Sequence, residues 1–228
     1  MKNPFRFCPF CDSPTPKDDF LCPKCRELIK EYRKTLKCAV CGQDKGQTPL
    51  CKECDEHLPP FRLAISCYYY DGTPKEALLA YKLGNQFYKA KGFAKLMAET
   101  LASYRITPEI ITAVPSGVKT FLKTGYSPAL ELAIPLKKLL KIPLCAGFLR
   151  KKLCVKRQSS LNGKERVENA KRSFAAMFHR KQKIQGKTVL LIDDVYTTGS
   201  TARECTKLLL SLGAKEVYVL TLLGNAKR

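Results

Sequence analysis

The chain has 228 residues, with 41 Lys and Arg against 20 Asp and Glu, a formal charge of +21. That length admits one α/β domain of ordinary size plus a small appendage. No run approaches the ~18 to 20 apolar residues of a membrane span, and MKNPFRFCPF is broken by charge, proline and cysteine where a signal sequence is apolar, so the expectation is a cytoplasmic protein. The charge is uneven. Residues 1–60 carry 11 Lys and Arg against 9 acids, and residues 61–228 carry 30 against 11, so the body is the part suited to polyanions such as phosphorylated metabolites or nucleic acid.

The first segment, residues 1–58, holds four C-x-x-C pairs: Cys8 with Cys11, Cys22 with Cys25, Cys38 with Cys41 and Cys51 with Cys54. The pairs are separated by ten and nine residues within two units, FCPFCDSPTP…LCPKCRE and KCAVCGQDKG…LCKECDE, offset by about thirty residues. Two such knuckles place four thiolates around one tetrahedral Zn²⁺, so two structural zinc sites follow. Disulfides belong to oxidising compartments, and four pairs exceed what a redox C-x-x-C enzyme uses. Sequential pairing, 8/11/22/25 with 38/41/51/54, is the simpler assignment and a cross-braced one stays open. His57 is read as exposed. Glu27 to Lys37 is read as a short helix, and Pro59-Pro60 as the linker to a second domain, 59–228.

In the body, Phe61 to Tyr70 reads as a strand ending at Asp71-Gly72. A helix with Pro74 at its first position runs through Lys75 to Leu83. Tyr68, Tyr69 and Tyr70 resemble a base-stacking platform, but alternation turns only one face outward and packing is the reading for most of them. Phe87 to Tyr104 reads as an amphipathic helix and Glu109 to Val114 as a strand. Pro115-Ser116-Gly117 opens a polar loop through Lys119, Lys123 and Thr124 to Gly125, the place for a second phosphate-holding loop. Helix Pro128 to Leu140, strand Pro143 to Phe148 and strand Glu216 to Leu223 complete an alternating α/β pattern. Arg150 to Lys187 carries thirteen Lys and Arg against two Glu; within it, Asn162 to Ala170 reads as a helix and Lys151 to Gln158 as a mobile loop. Of the isolated cysteines, Cys67 and Cys145 fall in apolar runs and read as small core residues.

The most informative stretch is Val189 to Thr201, VLLIDDVYTTGST. Four successive apolar residues read as a strand covered on both faces, as in a parallel sheet. Asp193 and Asp194 follow at its carboxyl end, where open α/β sheets bind ligands. The loop Thr197, Thr198, Gly199, Ser200 and Thr201 then enters a helix read as Thr201 to Leu212. Backbone N–H groups, hydroxyls and the positive helix terminus suit a phosphate, while the carboxylates accept hydrogen bonds from vicinal hydroxyls. A ribose 5-phosphate unit is the implied ligand. The segment has neither G-x-x-x-x-G-K-[ST] nor G-x-G-x-x-G.

It resembles the phosphoribosyl pyrophosphate (PRPP) motif of type I phosphoribosyltransferases. The chain as a whole resembles the competence protein F family, the ComF and GntX-like proteins, through this motif, through Gln158, Leu161, Arg166, Asn169 and Phe174 in RQSSLNGKERVENAKRSF, and through Lys82 in LLAYKLG. The resemblance implies an α/β type I phosphoribosyltransferase-like parallel sheet behind a cysteine-knuckle zinc-ribbon head, although two complete four-cysteine units exceed the single knuckle pair common in the family. It implies catalytic or ribose-holding roles for Lys82, Asp193 and Asp194, and ligand contacts from Ser116, Arg166, Tyr196 and Thr197 to Thr201, with Mg²⁺ accompanying PRPP. It also implies an accessory protein of DNA uptake in natural transformation that binds PRPP or a nucleotide, and single-stranded DNA, beside other proteins of the uptake machinery. The alternative is an active Mg²⁺-dependent phosphoribosyltransferase on an unidentified acceptor. Two further departures stand out. Thr124-Gly125-Tyr126-Ser127-Pro128 replaces an Arg-Gly-Phe-Asn-Gln-like segment, and Thr197 stands where purine-salvage members of the fold carry an Asp; a threonine is a poor base near neutral pH.

Overall fold

The computed structural model describes residues 7–45, 47–84, 86–117, 125–152 and 173–225. A four-stranded parallel sheet organises them, made of β1 (Leu63–Tyr69), β2 (Ile110–Ala113), β5 (Thr188–Val195) and β6 (Glu216–Gly224) in the order β1-β6-β5-β2. The register pairs Leu190 of β5 with Tyr218 of β6 and with Ile111 of β2. A separate antiparallel pair joins β3 (Leu149–Lys151) to β4 (Phe174–Ala176).

The run predicted to be covered on both faces is so covered: Val189, Leu190, Leu191 and Ile192 are fully buried. Strand alternation sends Leu190 and Ile192 to one core and Val189 and Leu191 to the other. The first core is closed by α3 (Gly72–Leu83), α4 (Lys89–Ala102) and α5 (Pro128–Leu140), the second by α6 (Ser200–Ser211). Helix boundaries follow local chemistry. Asp71 accepts a hydrogen bond from the Gly72 N–H at 2.8 Å, so α3 begins two residues before Pro74 rather than at it. Pro128 opens α5 as a first-turn proline, and Lys141 closes it at φ +56°.

The cysteine-rich segment straddles this sheet. Its first unit, followed by α1 (Pro23–Lys34), places Cys8, Phe10, Phe20, Leu21, Cys22 and Cys25 in the core of α4, while Cys38, Cys41 and Cys54 of the second unit join the core of α6. The second unit also covers the free edge of β1, because the Ala64 N–H donates to the Val40 carbonyl at 2.8 Å. An unpaired strand edge is a template for aggregation, and this contact removes part of it. Gly42 makes the approach feasible, since a Cβ there would collide with the Ala64 carbonyl.

One predicted strand is absent. In Pro143 to Phe148 only Leu144 bridges to Ile111, with the Cys145 N–H donating to the Ile111 carbonyl at 2.8 Å. Pro143 has no N–H to donate, and at Gly147 the Arg180 guanidinium stands where a side chain would lie. Cys145 is accordingly half-buried and outside any strand, whereas Cys67 is buried in β1. Tyr68 and Tyr69 pack on Tyr32 of α1, with centroids 5.4 and 4.7 Å apart, as packing residues. His57 is exposed at the end of α2 (Lys52–Glu56). The expected helix at Asn162 to Ala170 and the loop through Gln158 lie outside the described residues, apart from Lys151 in β3 and Lys152. No helix among the described residues is long and apolar enough to cross a membrane.

The first unit is tied to α4 by Lys89, whose ammonium is almost fully buried and donates to both Asp12 carboxylate oxygens at 2.7 Å and to the Pro9 carbonyl at 3.1 Å. Asp12 is half exposed, so the two partners are not equivalent. Removing the acid strands a buried cation, whereas removing the cation returns a carboxylate to water. Asp12→Asn is therefore expected to destabilise the protein by about 1–3 kcal/mol, and more than Lys89→Met, in urea unfolding.

Candidate functional site

At the carboxyl ends of the parallel strands, an open cleft of about 370 Å³ is lined by Lys82, Ser116, Lys151, Asp193, Asp194 and Thr201, among others. These residues come from four separate stretches of sequence. Lys82 Nζ lies 2.6 Å from Asp194 Oδ2, an ion pair across 112 positions of the chain. The Asp194 N–H donates to Asp193 Oδ1 at 2.9 Å at the end of β5. Burial and the neighbouring Asp194 carboxylate push Asp193 from its ordinary 3.8 up to about 8, against the opposing pull of the Asp194 N–H, Lys82 and Lys151.

The loop after β5 has the features of an anion cradle. Gly199 adopts φ +73° and precedes the first turn of α6, the handed position that a side chain rarely takes. Thr198 Oγ1 and Ser200 Oγ are 2.8 Å apart, and Thr197 and Thr198 are exposed. The Ser200 N–H reaches Thr198 Oγ1 at 3.4 Å, and a small pocket beside the first turn of α6 is lined by Asp193, Thr197, Gly199 and Thr201. Tyr196 is placed differently from its neighbours. Its ring is buried beneath the loop, so close to Gly199 that a Cβ there would strike the phenol, and it meets Phe61 edge-on at 6.2 Å. It shapes the loop from below.

Several residues in or beside the cleft carry no motif of their own. Tyr126 Oη donates to the Tyr81 carbonyl at 2.9 Å and to the Lys82 carbonyl, anchoring the end of α3 from which Lys82 projects. Ser127 meets Ser116 at 2.9 Å between hydroxyl oxygens. Both belong to the segment that departs from the ComF-like pattern, and that departure was the available signal. Arg203, one turn into α6, donates to the His57 carbonyl at 2.9 Å and lies 3.5 Å from Glu53, so the helix that presents the cradle is held against the second cysteine unit. Lys151 is legible in the sequence only as one charge among thirteen. Arg166, Lys119, Lys123, Thr124, Cys154, Gln158, Leu161 and Asn169 lie outside the described residues.

The eight cysteines of the first segment form two groups, Cys8, Cys11, Cys22 and Cys25, and Cys38, Cys41, Cys51 and Cys54, whose sulfurs lie within 4.8 Å of one another. This is the sequential arrangement. Within them Cys11 and Cys22 are 3.4 Å apart, Cys11 and Cys25 3.6 Å, and Cys41 and Cys51 3.5 Å. Four sulfurs at ~2.3 Å from a tetrahedral Zn²⁺ stand about 3.8 Å from one another, so the donor set fits that ion and leaves no position for a substrate. His57 belongs to neither group.

Because Asp193 binds its proton more tightly in the folded chain, the native state retains a proton between about pH 4 and pH 8 that the unfolded chain has lost. Stability therefore falls as pH rises through that window. Asp193→Asn is expected to raise Tm at pH 8 and to change it little at pH 4, by about 2–4 °C for each ~1 kcal/mol relieved, as followed by scanning calorimetry at the two pH values.

A model of the phosphoribosyl transferase domain matches residues 85–228. The chain is 28% identical over 205 residues to competence protein F of Haemophilus influenzae, covering 87% of this chain and 88% of that protein. It is 29% identical over 209 residues to the DNA utilization protein YhgH of Salmonella typhi, with the same coverages. It is 25% identical over 209 residues to competence protein ComFC of Streptococcus pneumoniae, covering 90% of this chain and 88% of that protein. With its parallel sheet, the acid pair and hydroxyl-rich loop at the end of β5, and its paired four-cysteine units, the chain belongs to the phosphoribosyl transferase domain family and is a ComF-like member of it.

Proposed function

We propose that the protein is a ComF-like accessory factor of DNA uptake, organised as a double zinc-ribbon head, 1–58, and a body, 59–228, that binds PRPP or a related nucleotide. The names of its relatives support the uptake role. The observation that carries the ligand assignment is the convergence of Asp193, Asp194, Lys82 and Thr201 on one cleft, beside a smaller pocket lined by Thr197 and Gly199 that shares Asp193 and Thr201 with it. Asp193 and Asp194 accept the ribose hydroxyls. Thr197, Thr198, Gly199, Ser200 and Thr201 receive the 5-phosphate through N–H and O–H donors. Lys82 and Ser116 stand on the wall where a pyrophosphate projects, with Arg166 as a further cation from the same sequence stretch as Lys151. The two carboxylates and ligand oxygens also fit Mg²⁺, which would neutralise pyrophosphate charge. The basic body binds single-stranded DNA, and other uptake proteins are its working partners in the cytoplasm.

A second reading, transfer catalysis, is favoured by Lys82, which lies beside the ribose carboxylates, where charge develops on departing pyrophosphate. In that reaction the bond from C1 to the pyrophosphate oxygen breaks and a bond from C1 to an acceptor nitrogen forms. Thr197 offers no base for the acceptor, so the acceptor must bring a nitrogen that needs no deprotonation before attack. Release of pyrophosphate from PRPP with such acceptors tests it, and a screen without turnover removes it.

Isothermal titration with PRPP and Mg²⁺ should give saturable binding that weakens about 10- to 100-fold in Asp194→Asn, the scale of a lost charged hydrogen bond. Unchanged affinity would refute the ribose assignment. Elemental analysis should find two zinc ions per chain. Cys38→Ser should lower PRPP affinity and Cys8→Ser should spare it, because only the second unit is linked to the cradle, through Arg203 and the space it shares with Tyr196 and Thr197.

A further inference from the structure

A second cleft, of about 650 Å³, opens at the opposite end of the sheet. It lies beside the first residue of β2, Ile110, and Lys187 just ahead of β5, so roughly one strand length of ~23 Å separates it from the ribose-phosphate cradle. Its walls are the segment Pro143 to Gly147 and the 3₁₀ turn Phe178–Lys183. The wall from 143 to 147 is apolar except for its backbone and the Cys145 thiol. Arg180, Lys183 and Lys187 supply the cations.

These cations differ from most others near the core. Lys37, Lys82 and Lys89 each sit within 2.7 Å of a carboxylate, whereas Arg180, Lys183 and Lys187 make no ion pair among the described residues. Arg180 is nonetheless held in place. Its guanidinium lies across Gly147, where a Cβ would come within 2.6 Å of Cζ, and its Nη1 is 3.9 Å from the Cys145 sulfur. In a 3₁₀ turn, residues three apart share a face, so Arg180 and Lys183 stand together toward the cleft and Phe178 and Lys181 stand together beside them. Phe178 is 63% exposed, an aromatic ring left in water on the same turn as Arg180, Lys181 and Lys183, beside the cleft rather than in its lining. From Ser173 to Lys187 there are four Lys or Arg and no acid.

We propose that this cleft is the track for single-stranded nucleic acid, which rests on the DNA-handling reading above and locates it. The cations neutralise successive phosphates, and Phe178 stacks on an unpaired base. A free phosphate would use the cations and leave the apolar wall and the ring without a role, and a duplex keeps its bases away from an isolated ring. The two ends of the sheet then hold different ligands without competition: ribose phosphate at the carboxyl ends, a polynucleotide at the amino ends.

Fluorescence anisotropy of a labelled oligothymidylate, with the zinc-loaded full chain over a salt series, tests this. Arg180→Ala/Lys183→Ala/Lys187→Ala is expected to weaken binding roughly tenfold or more and to reduce the slope of log K against log salt by about 2, which is three contacts at ~0.7 each. Phe178→Ala should cost about five- to hundredfold, the scale of one stacked base. PRPP titration of the triple variant should match the wild type, which shows that it is folded, and PRPP should not displace the oligonucleotide. Wild-type binding that persists unchanged in the triple variant overturns the location. Equal affinity for a duplex overturns the role of Phe178, and absence of wild-type binding removes the DNA-handling reading itself.

Discussion

Two adjacent carboxylates at the end of a fully buried strand are the constraint around which the rest is arranged. β5 is apolar from Val189 to Ile192 and packed on both faces, so Asp193 leaves it in surroundings that disfavour its charge, with a second acid next to it. Such a pair needs cations and donors from elsewhere, because water cannot fully solvate it. Lys82 supplies the first from the end of α3, and Lys151 a second from β3. Tyr126 and Ser127 then hold the wall that carries Lys82 and Ser116. The charged groups of the site are thereby gathered at the carboxyl end of β5.

The cysteine units solve a different problem with consequences for the same site. A four-stranded sheet with β1 at its edge has an exposed ladder, and a short segment with little apolar surface cannot fold by burial alone. The two units settle both needs by docking on opposite faces of the sheet, one on α4 and one beside α6. The second shares a small space of about 90 Å³ with Tyr196, Thr197 and Arg203. Tyr196, buried beneath the loop, and Arg203, bonded to the His57 carbonyl, back the cradle against this unit. The repeat in sequence is thus not a repeat in role. One unit buttresses a helix, and the other supports the loop that follows β5.

Much of this is legible in the sequence. The strand and cradle at 189–201 can be read because their signals are local: an uninterrupted apolar run, two acids, and a glycine where the chain needs positive φ. The helix Pro128–Leu140 is legible to the residue from its first-turn proline, and it continues through Pro135, which tertiary packing tolerates. The sequential grouping of the thiols is the simpler of the two arrangements that the spacing leaves open, and it is the one the structure adopts. What cannot be read depends on distant partners. Lys82 and Asp194 are joined only by the crossover of the sheet, and Arg203 finds His57 only because the second unit folds back on α6. Pro143 to Phe148 fails as a strand for the same reason: its composition is that of a strand, but a missing N–H at Pro143 and the Arg180 guanidinium across Gly147 leave only Leu144 paired.

That failed strand explains why the molecule has two usable ends. A complete fifth strand would have continued from Leu144 alongside β2 toward its carboxyl end. Pairing stops at Leu144 and Cys145, and the turn from Phe178 to Lys183 lies beside that segment, with Arg180 across Gly147 and Arg180 and Lys183 lining the cleft. The carboxyl ends of the strands present the N-terminus of α6 and two carboxylates. The amino ends present lysines, an arginine and a ring along an open edge, which suits a ligand that repeats. The same parallel sheet that fixes the first site by direction therefore leaves the second to be set by where pairing breaks off.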